Sequence, residues 1–358
     1  MKQNAVQSLV NKTLKNKLQV RETVGMENPL HYRNKAQYPI GINKQGEPVI
    51  GVFANRTHEV IPIDNCLIQN KKSEEIAKFI IEFIKEKNIS IYDEKTGKGL
   101  VRHIVTKVGI KTGEIMCVIV INGHKIPNEN ELVENLKTKY PEIKAIVKNI
   151  NMKNTNVILG QENINLYGNG YIEDILGEYK FKISPLSFYQ VNPVQAEKLY
   201  DLGVSMAEIT KNDIVFDLYC GIGTISLFMS KFAKKVYGIE IVEEAVKMAK
   251  ENAQNNNVSN TEFFAGDVEI VLDDLINNKG LKADVVMFDP PRKGLDKKSI
   301  DNILNIRPKK IVYISCNPAT LIRDLADFEN EYDIKTIIPV DMFPFTSHVE
   351  CVATLQLK

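Results

Sequence analysis

The sequence predicts an α/β protein: a doubly wound, mostly parallel sheet closed by an antiparallel strand, preceded by an α+β domain. Three observations carry this. From residue 214 onward, apolar runs near 214–218, 235–239, 261–264, 284–288 and 311–315 alternate with helical patterns at 242–256, 268–277, 297–305 and 318–328. The last two runs, Lys335 to Val340 and Val349 to Leu357, have no helix between them, so they should pair antiparallel. Before about Lys182 the runs are short, punctuated by turns, and interrupted by only two helical patterns.

The organising stretch is Ile214 to Leu227. An apolar run reaches Asp217, a turn follows with Gly221 and Gly223, and a helical segment runs from Thr224 to Phe232. A second apolar run, Lys235 to Ile239, ends on Glu240. Strand, glycine turn, helix, strand and acid make a unit suited to an adenosine-bearing cofactor: the glycines admit the ligand to the backbone and the acid accepts both ribose hydroxyls. A nicotinamide fingerprint requires a third glycine where Ser226 stands. S-adenosylmethionine has no diphosphate to cradle and is compatible with this turn.

Composition sets the bounds. The chain has 358 residues, 44% hydrophobic and 25% charged, which suits one large or two ordinary soluble domains. No apolar run approaches the ~20 residues a membrane span needs, and the first residues lack the apolar core of a signal peptide. The five cysteines form no CxxC pair, so reduced thiols and a cytoplasmic location are expected. Net charge is only +1, but seven of the first 35 residues are Lys or Arg (2, 12, 15, 17, 21, 33, 35) against Glu22 and Glu27. From that basic stripe and the domain after it, Arg33, Lys35 and Arg102 are chosen as candidate contacts to a phosphate backbone.

In chain order, a helix is expected from about Val6 to Val20, with Val6, Leu9, Val10, Leu14 and Leu18 on one stripe. Strands are read at Gly41-Ile42, Val49–Phe53, Val60–Ile63, Gly99–Val108, Ile115–Ile121 and Val157–Leu159, with helices at Ser73–Glu86 and Glu129–Tyr140. These compose an antiparallel sheet. Phe181 to Asn192 reads as a hinge and Pro193 to Ile209 as a helix. The expected division is 1–28, 29–180 and 181–358.

Three further places carry chemistry. Asp267, after the third strand, lies where an adenine edge would be. Phe288-Asp289-Pro290-Pro291-Arg292 follows the fourth strand, and two prolines fix where Asp289 points. Enzymes that methylate exocyclic amines often carry an aromatic after such prolines; Arg292 argues against that reaction. After the fifth strand, Cys316 precedes a helix that Pro318 is suited to open, where the helix dipole should draw a thiol near ~8.5 towards neutrality. Finally, His348 and Glu350, two apart in extended chain, face the same side.

With these motifs in order, the chain resembles the S-adenosylmethionine-dependent RNA uracil-5-methyltransferases that act on ribosomal or transfer RNA. The resemblance runs from about Tyr32 to the C-terminus and rests on Phe188-Tyr-Gln190-Val-Asn192, Asp217-Leu-Tyr-Cys-Gly221, Asp289-Pro-Pro-Arg292, Ser315-Cys-Asn-Pro318 and His348-Val-Glu350. It implies a Rossmann-like class I methyltransferase sheet. Gln190, Tyr219, Gly221, Glu240, Asp267 and Asp289 are the implied cofactor contacts, Cys316 is the nucleophile and Glu350 the base. Phe188 would lie against a flipped base, and Asp289 would also hold the uracil. It implies 23S ribosomal RNA ahead of transfer RNA, a monomer, and an N-terminal helix packed on the catalytic domain. Many members carry an oligonucleotide-binding barrel, and some an iron–sulfur cluster. Cys66 resembles the distant ligand of that cluster but lacks the others, so no cluster is expected. RNA cytosine-5 methylation, a non-catalytic RNA-binding relic and a nicotinamide oxidoreductase are the alternatives. A cysteine in place of Asp289-Pro-Pro, loss of Cys316 or Glu350, and a glycine at Ser226, respectively, would favour them.

Overall fold

A computed structural model describes residues 1–358. The chain opens with α1 (Lys2–Thr13), which buries Val6 and Val10. The helix expected to Val20 stops here, because Leu14 turns extended (φ −77°, ψ 145°). Leu14 and Val20 remain buried. Arg21 and Val24 instead donate their N–H groups to the carbonyls of Ile337 and Pro339, at 3.0 and 2.9 Å. The apolar spacing was real, but an edge strand satisfies it better than a longer helix.

Two compact units follow from the contacts. One comprises Asn28–Leu176 and Phe181–Pro193; the other comprises Met1–Glu27, Gly177–Lys180 and Val194–Lys358. The boundary read at residue 180 therefore shifts. Phe181 packs on Tyr189 with ring centroids 6.4 Å apart, and Asn34 donates its N–H to the Val191 carbonyl at 2.9 Å. The supposed hinge belongs to the first unit.

That unit contains β1 (Lys35–Ile42), β2 (Pro48–Phe53), β3 (Val60–Pro62), α2 (Lys71–Glu86), β4 (Val101–Val108), β5 (Ile115–Ile121), α3 (Glu129–Lys139), β6 (Ile143–Ile150) and β7 (Glu162–Gly168). The sheet order is β3-β2-β1-β4-β5-β6-β7. It is not wholly antiparallel: β5 and β6 are parallel, joined by the α3 crossover. The apolar stripe of α2 (Ile76, Ile80, Ile84) is buried in one core with Tyr38, Ile104 and Ile119 of the sheet. Val157–Leu159 forms no strand; the Asn151 side chain donates to the Val157 and Ile158 carbonyls at 2.7 and 3.0 Å. Two short strands, β8 (Ile172–Leu176) and β9 (Tyr179–Ile183), stand outside this sheet.

The other unit holds α4 (Pro193–Ala207), β10 (Ile214–Leu218), α5 (Thr224–Ser230), β11 (Lys235–Glu240), α6 (Glu243–Asn255), β12 (Thr261–Ala265) and α7 (Val268–Asp273). It continues with β13 (Val285–Phe288), α8 (Lys297–Ile306), β14 (Lys310–Ser315), α9 (Pro318–Phe328), β15 (Tyr332–Val340) and β16 (Glu350–Leu357). Strand order is β12-β11-β10-β13-β14-β16-β15. The first five are parallel, and β16 lies antiparallel between β14 and β15. The order reverses between β10 and β13, and ligands of such sheets bind outside the carboxyl ends at that reversal. Phe216, Phe288 and Phe328 are fully buried, each worth about 1.5–3 kcal/mol of transfer free energy before entropy is charged. This core fixes the rim on which the loops stand.

Candidate active site

Every parallel strand of the second unit ends in a polar residue at the same rim. β10 ends into Tyr219, whose φ of +67° turns the chain sharply into Cys220 and Gly221. A Cβ at Gly221 (φ +54°) would meet nothing within 4 Å, so the backbone there borders open space. At the end of β11, Glu240 accepts the Gly221 N–H at 3.1 Å on one oxygen and the Val242 N–H at 3.0 Å on the other. A carboxylate has about four acceptor positions, so each oxygen can take one more donor. Asp267 caps α7 by accepting the Glu269 N–H at 2.9 Å and is exposed. Beneath the turn, Asp217 accepts the Ser226 hydroxyl on one oxygen while its other oxygen is buried without a partner. Burial pushes the Asp217 carboxyl up to about 7. An open turn beside an acid with spare acceptors fits an adenosine cofactor carrying two ribose hydroxyls.

The second half of the rim carries two carboxyls and a thiol. Asp289 leaves β13 half-buried, and Glu350 opens β16 at 3% exposure, with one carboxylate oxygen lacking any partner. Burial pushes both carboxyls up, and the Asp289 charge pushes Glu350 further. Cys316 is half-buried between β14 and α9. The ladder between β14 and β16 ends on the pair Ser315↔Cys351, so Cys316 follows one member of that pair and Glu350 precedes the other.

The expected low-pKa thiol is corrected here. Burial raises the Cys316 thiol, and the charges of Glu350 and Asp289 raise it again; Arg292 only partly opposes them. The α9 N-terminus is already capped, since Asn317 accepts the Ala319 N–H at 3.1 Å.

The loop bearing Asp289 is clamped to α9. Asn317 donates to the Arg292 carbonyl at 3.1 Å, Arg323 donates to the Lys293 carbonyl at 2.9 Å, and Asp324 accepts the Leu295 N–H at 2.8 Å. Tyr313 also donates to Asp324, at 2.7 Å. These partners were not singled out from the sequence. Arg292 is the other omission: its cation lowers both the thiol and Glu350. Its place beside an acid in a proline-stiffened loop was the available signal.

A family model for tRNA (uracil-5-)-methyltransferases matches residues 2–358. The chain belongs to that family. It is 50% identical over 338 residues to an uncharacterized RNA methyltransferase of Caldanaerobacter subterraneus subsp. tengcongensis, covering 94% of this chain and 74% of the relative. A Clostridium acetobutylicum RNA methyltransferase is 49% identical over 340 residues, covering 95% and 74% respectively. Among solved structures, the Pyrococcus abyssi tRNA (uracil-54, C5)-methyltransferase in complex with S-adenosyl-L-homocysteine superposes with a TM-score of 0.80 at 28% identity. That match covers 99% of this chain and 81% of the archaeal one. The protein is an S-adenosylmethionine-dependent RNA methyltransferase with the Rossmann-like sheet of its class.

The remaining sequence candidates lie on the first unit of this methyltransferase. Gln190 is buried, and its carbonyl accepts the Asn34 side chain at 3.1 Å. Phe188 is 70% exposed. Arg33 and Lys35 are half-buried. Arg102 is corrected: its side chain is 1% exposed, donates to the Asn151 and Lys153 carbonyls at 2.9 and 2.8 Å, pairs with Glu94, and stacks on Tyr92. Structural partners consume it, and none of it is offered to a phosphate.

Proposed function

We propose that this methyltransferase acts on C5 of a uridine in RNA through a transient covalent bond between Cys316 and C6 of the base. The observation that supports it most is that Cys316 and Glu350 flank the last pair of the β14–β16 ladder, where the charges of Glu350 and Asp289 both bear on the thiol. Uracil C5 is a weak nucleophile. Addition of the Cys316 thiolate at C6 moves the ring's electron pair towards C5 and O4, making C5 electron-rich. Asp289 accepts N3–H and so holds the ring in place for the addition. S-adenosylmethionine supplies an electrophilic methyl group when bound. After C5 has been methylated, Glu350 takes the C5 proton, the C5=C6 bond reforms and the thiolate leaves with its electron pair. Nucleophile and general base are thus separate groups.

In this reading Glu240 takes the ribose hydroxyls, Tyr219, Gly221 and Asp267 border the adenosine, and Gln190 completes the cofactor contacts. Phe188 lies against the extruded base, because C5 cannot be reached within a stacked helix. Arg33 and Lys35 remain the proposed backbone contacts. For the RNA, 23S ribosomal RNA is the reading carried by the family resemblance. Transfer RNA is the second, favoured by the archaeal neighbour, which is named for that substrate. The test is incubation with labelled S-adenosylmethionine and separately purified ribosomal and transfer RNA, then nucleoside separation. Label in 5-methyluridine is expected. Label in 5-methylcytidine, or none from either RNA, would overturn the proposal.

A further inference from the structure

The loop from Asp341 to Val349 joins β15 to β16 and delivers the chain into Glu350. At its tip Phe345 is 69% exposed and held at φ +65°. A bulky side chain in the left-handed region is strained and persists only where its surroundings over-determine it. They do so here. Lys2 donates to Asp341 at 2.6 Å, to the Phe343 carbonyl at 3.1 Å and to the His348 carbonyl at 2.6 Å, using all three of its protons. Thr346 donates its N–H and hydroxyl to the Phe343 carbonyl at 3.2 and 2.8 Å, and His348 donates its N–H to the Thr346 hydroxyl at 3.2 Å. The Phe343 and His348 rings meet edge-on with centroids 6.2 Å apart. The loop is fastened on several sides, yet its one large apolar side chain at the tip is left in solvent. Neither burial nor backbone comfort explains a phenylalanine there, since glycine would suit the φ.

We propose that Phe345 is a stacking platform for an unpaired base of the RNA substrate, a few nucleotides from the uridine that reacts. The proposal rests on the reading that uridine reacts at the rim bearing Cys316 and Glu350. Five residues of extended chain reach at most about 17 Å, so the ring stands within a short stretch of RNA from Glu350. Every base offers a π-face, so such a platform strengthens binding without reading sequence.

The chain contains no tryptophan, so Phe345→Trp would carry the only indole. Its emission should be quenched saturably by a uridine-containing single-stranded RNA oligonucleotide and unchanged by S-adenosylmethionine alone. Phe345→Gly should leave Tm unchanged or raise it by relieving strain. Base stacking is worth about 1–3 kcal/mol, so KM for total RNA should rise about tenfold, with calorimetric affinity for S-adenosylmethionine unchanged. Phe345→Tyr should restore the wild-type KM. Unquenched Phe345→Trp emission at saturating RNA, or a wild-type KM in Phe345→Gly, would overturn the platform. If quenching persists while the label is found in a nucleoside other than 5-methyluridine, the reaction reading fails and the stacking site stands.

Discussion

Ser315 and Cys351 form the last pair of the ladder between β14 and β16; Cys316 follows the first and Glu350 precedes the second, and the Glu350 charge bears on the Cys316 thiol. Cys351, one step inside, is wholly buried in the apolar core, so the alternation directs Glu350 to the opposite side of the strand. The antiparallel strand inserted into a parallel sheet is what brings the proposed nucleophile and the proposed base, 34 positions apart in sequence, to one edge.

That edge has an electrostatic cost with a definite sign. Burial and neighbouring acids raise both the Cys316 thiol and the Glu350 carboxyl. Each must lose a proton before it can act in the proposed reaction, so kcat/KM should climb as pH rises through about 8, the value of Glu350, and the raised thiol should carry the ascending limb further in the alkaline direction. Arg292 lowers both. Arg292→Gln should therefore displace the limb to higher pH while the alkaline plateau falls less. A limb that stays in place would show that Arg292 does not act on the reacting groups.

Glu240 gives a second prediction. Glu240→Ala removes an acceptor for ribose hydroxyls and frees the Gly221 N–H. S-adenosylmethionine affinity should fall by at least about 1.5 kcal/mol, the scale of a hydrogen bond to a charged group, or about tenfold in Kd. Calorimetry on the folded variant checks this, and an unchanged Kd would remove Glu240 from the site.

A third concerns Lys107, whose buried ammonium donates to the Ser184 and Ser187 carbonyls at 2.7 and 2.9 Å and has no carboxylate partner. Burial, with help from Lys35, pulls its pKa down to about 7. The unfolded chain, titrating near ~10.4, binds more protons than the folded one between those values. Stability from this residue therefore rises with pH from about 7 to about 10. Lys107→Met should abolish that contribution, so the difference in Tm between wild type and variant should change with pH across the window. A difference that stays flat would contradict the burial of a charged amine.

What was legible in the sequence follows from how each residue's environment is set. The β10–α5–β11 unit could be read because strands buried on both faces are near-continuous apolar runs and the intervening glycines mark the turn. The antiparallel β16 followed from a missing crossover helix. β6 was missed because lysines interrupt it, and Lys148 is buried only by virtue of its ion pair with Glu129. Arg102 was misread for the same reason: a charge looks exposed until its partners, Glu94, Tyr92 and two carbonyls, are brought in by the fold. The direction of the Cys316 shift was hidden likewise. A helix N-terminus can be inferred locally, but the acids that outweigh it arrive from two other strands.

The last prediction separates the two chemical roles. Cys316→Ala cannot form the C6 bond, so it should neither methylate RNA nor yield an adduct. Glu350→Gln keeps nearly the same shape but accepts no proton. It should add to C6 and accept the methyl at C5, then stall, because the thiolate cannot leave until the C5 proton does. On a denaturing gel with labelled S-adenosylmethionine, a protein–RNA band carrying label is expected in Glu350→Gln and absent in Cys316→Ala. Slow turnover of Glu350→Gln without that band would mean that another base takes the proton. An adduct in Cys316→Ala would place the nucleophile elsewhere. Asp289→Asn distinguishes the neighbouring acid: it should slow addition itself, because the amide accepts N3–H less strongly than the carboxylate and holds the ring less well, and so lower the yield of adduct when combined with Glu350→Gln. An undiminished yield in the double variant would confine Asp289 to a structural part in the loop.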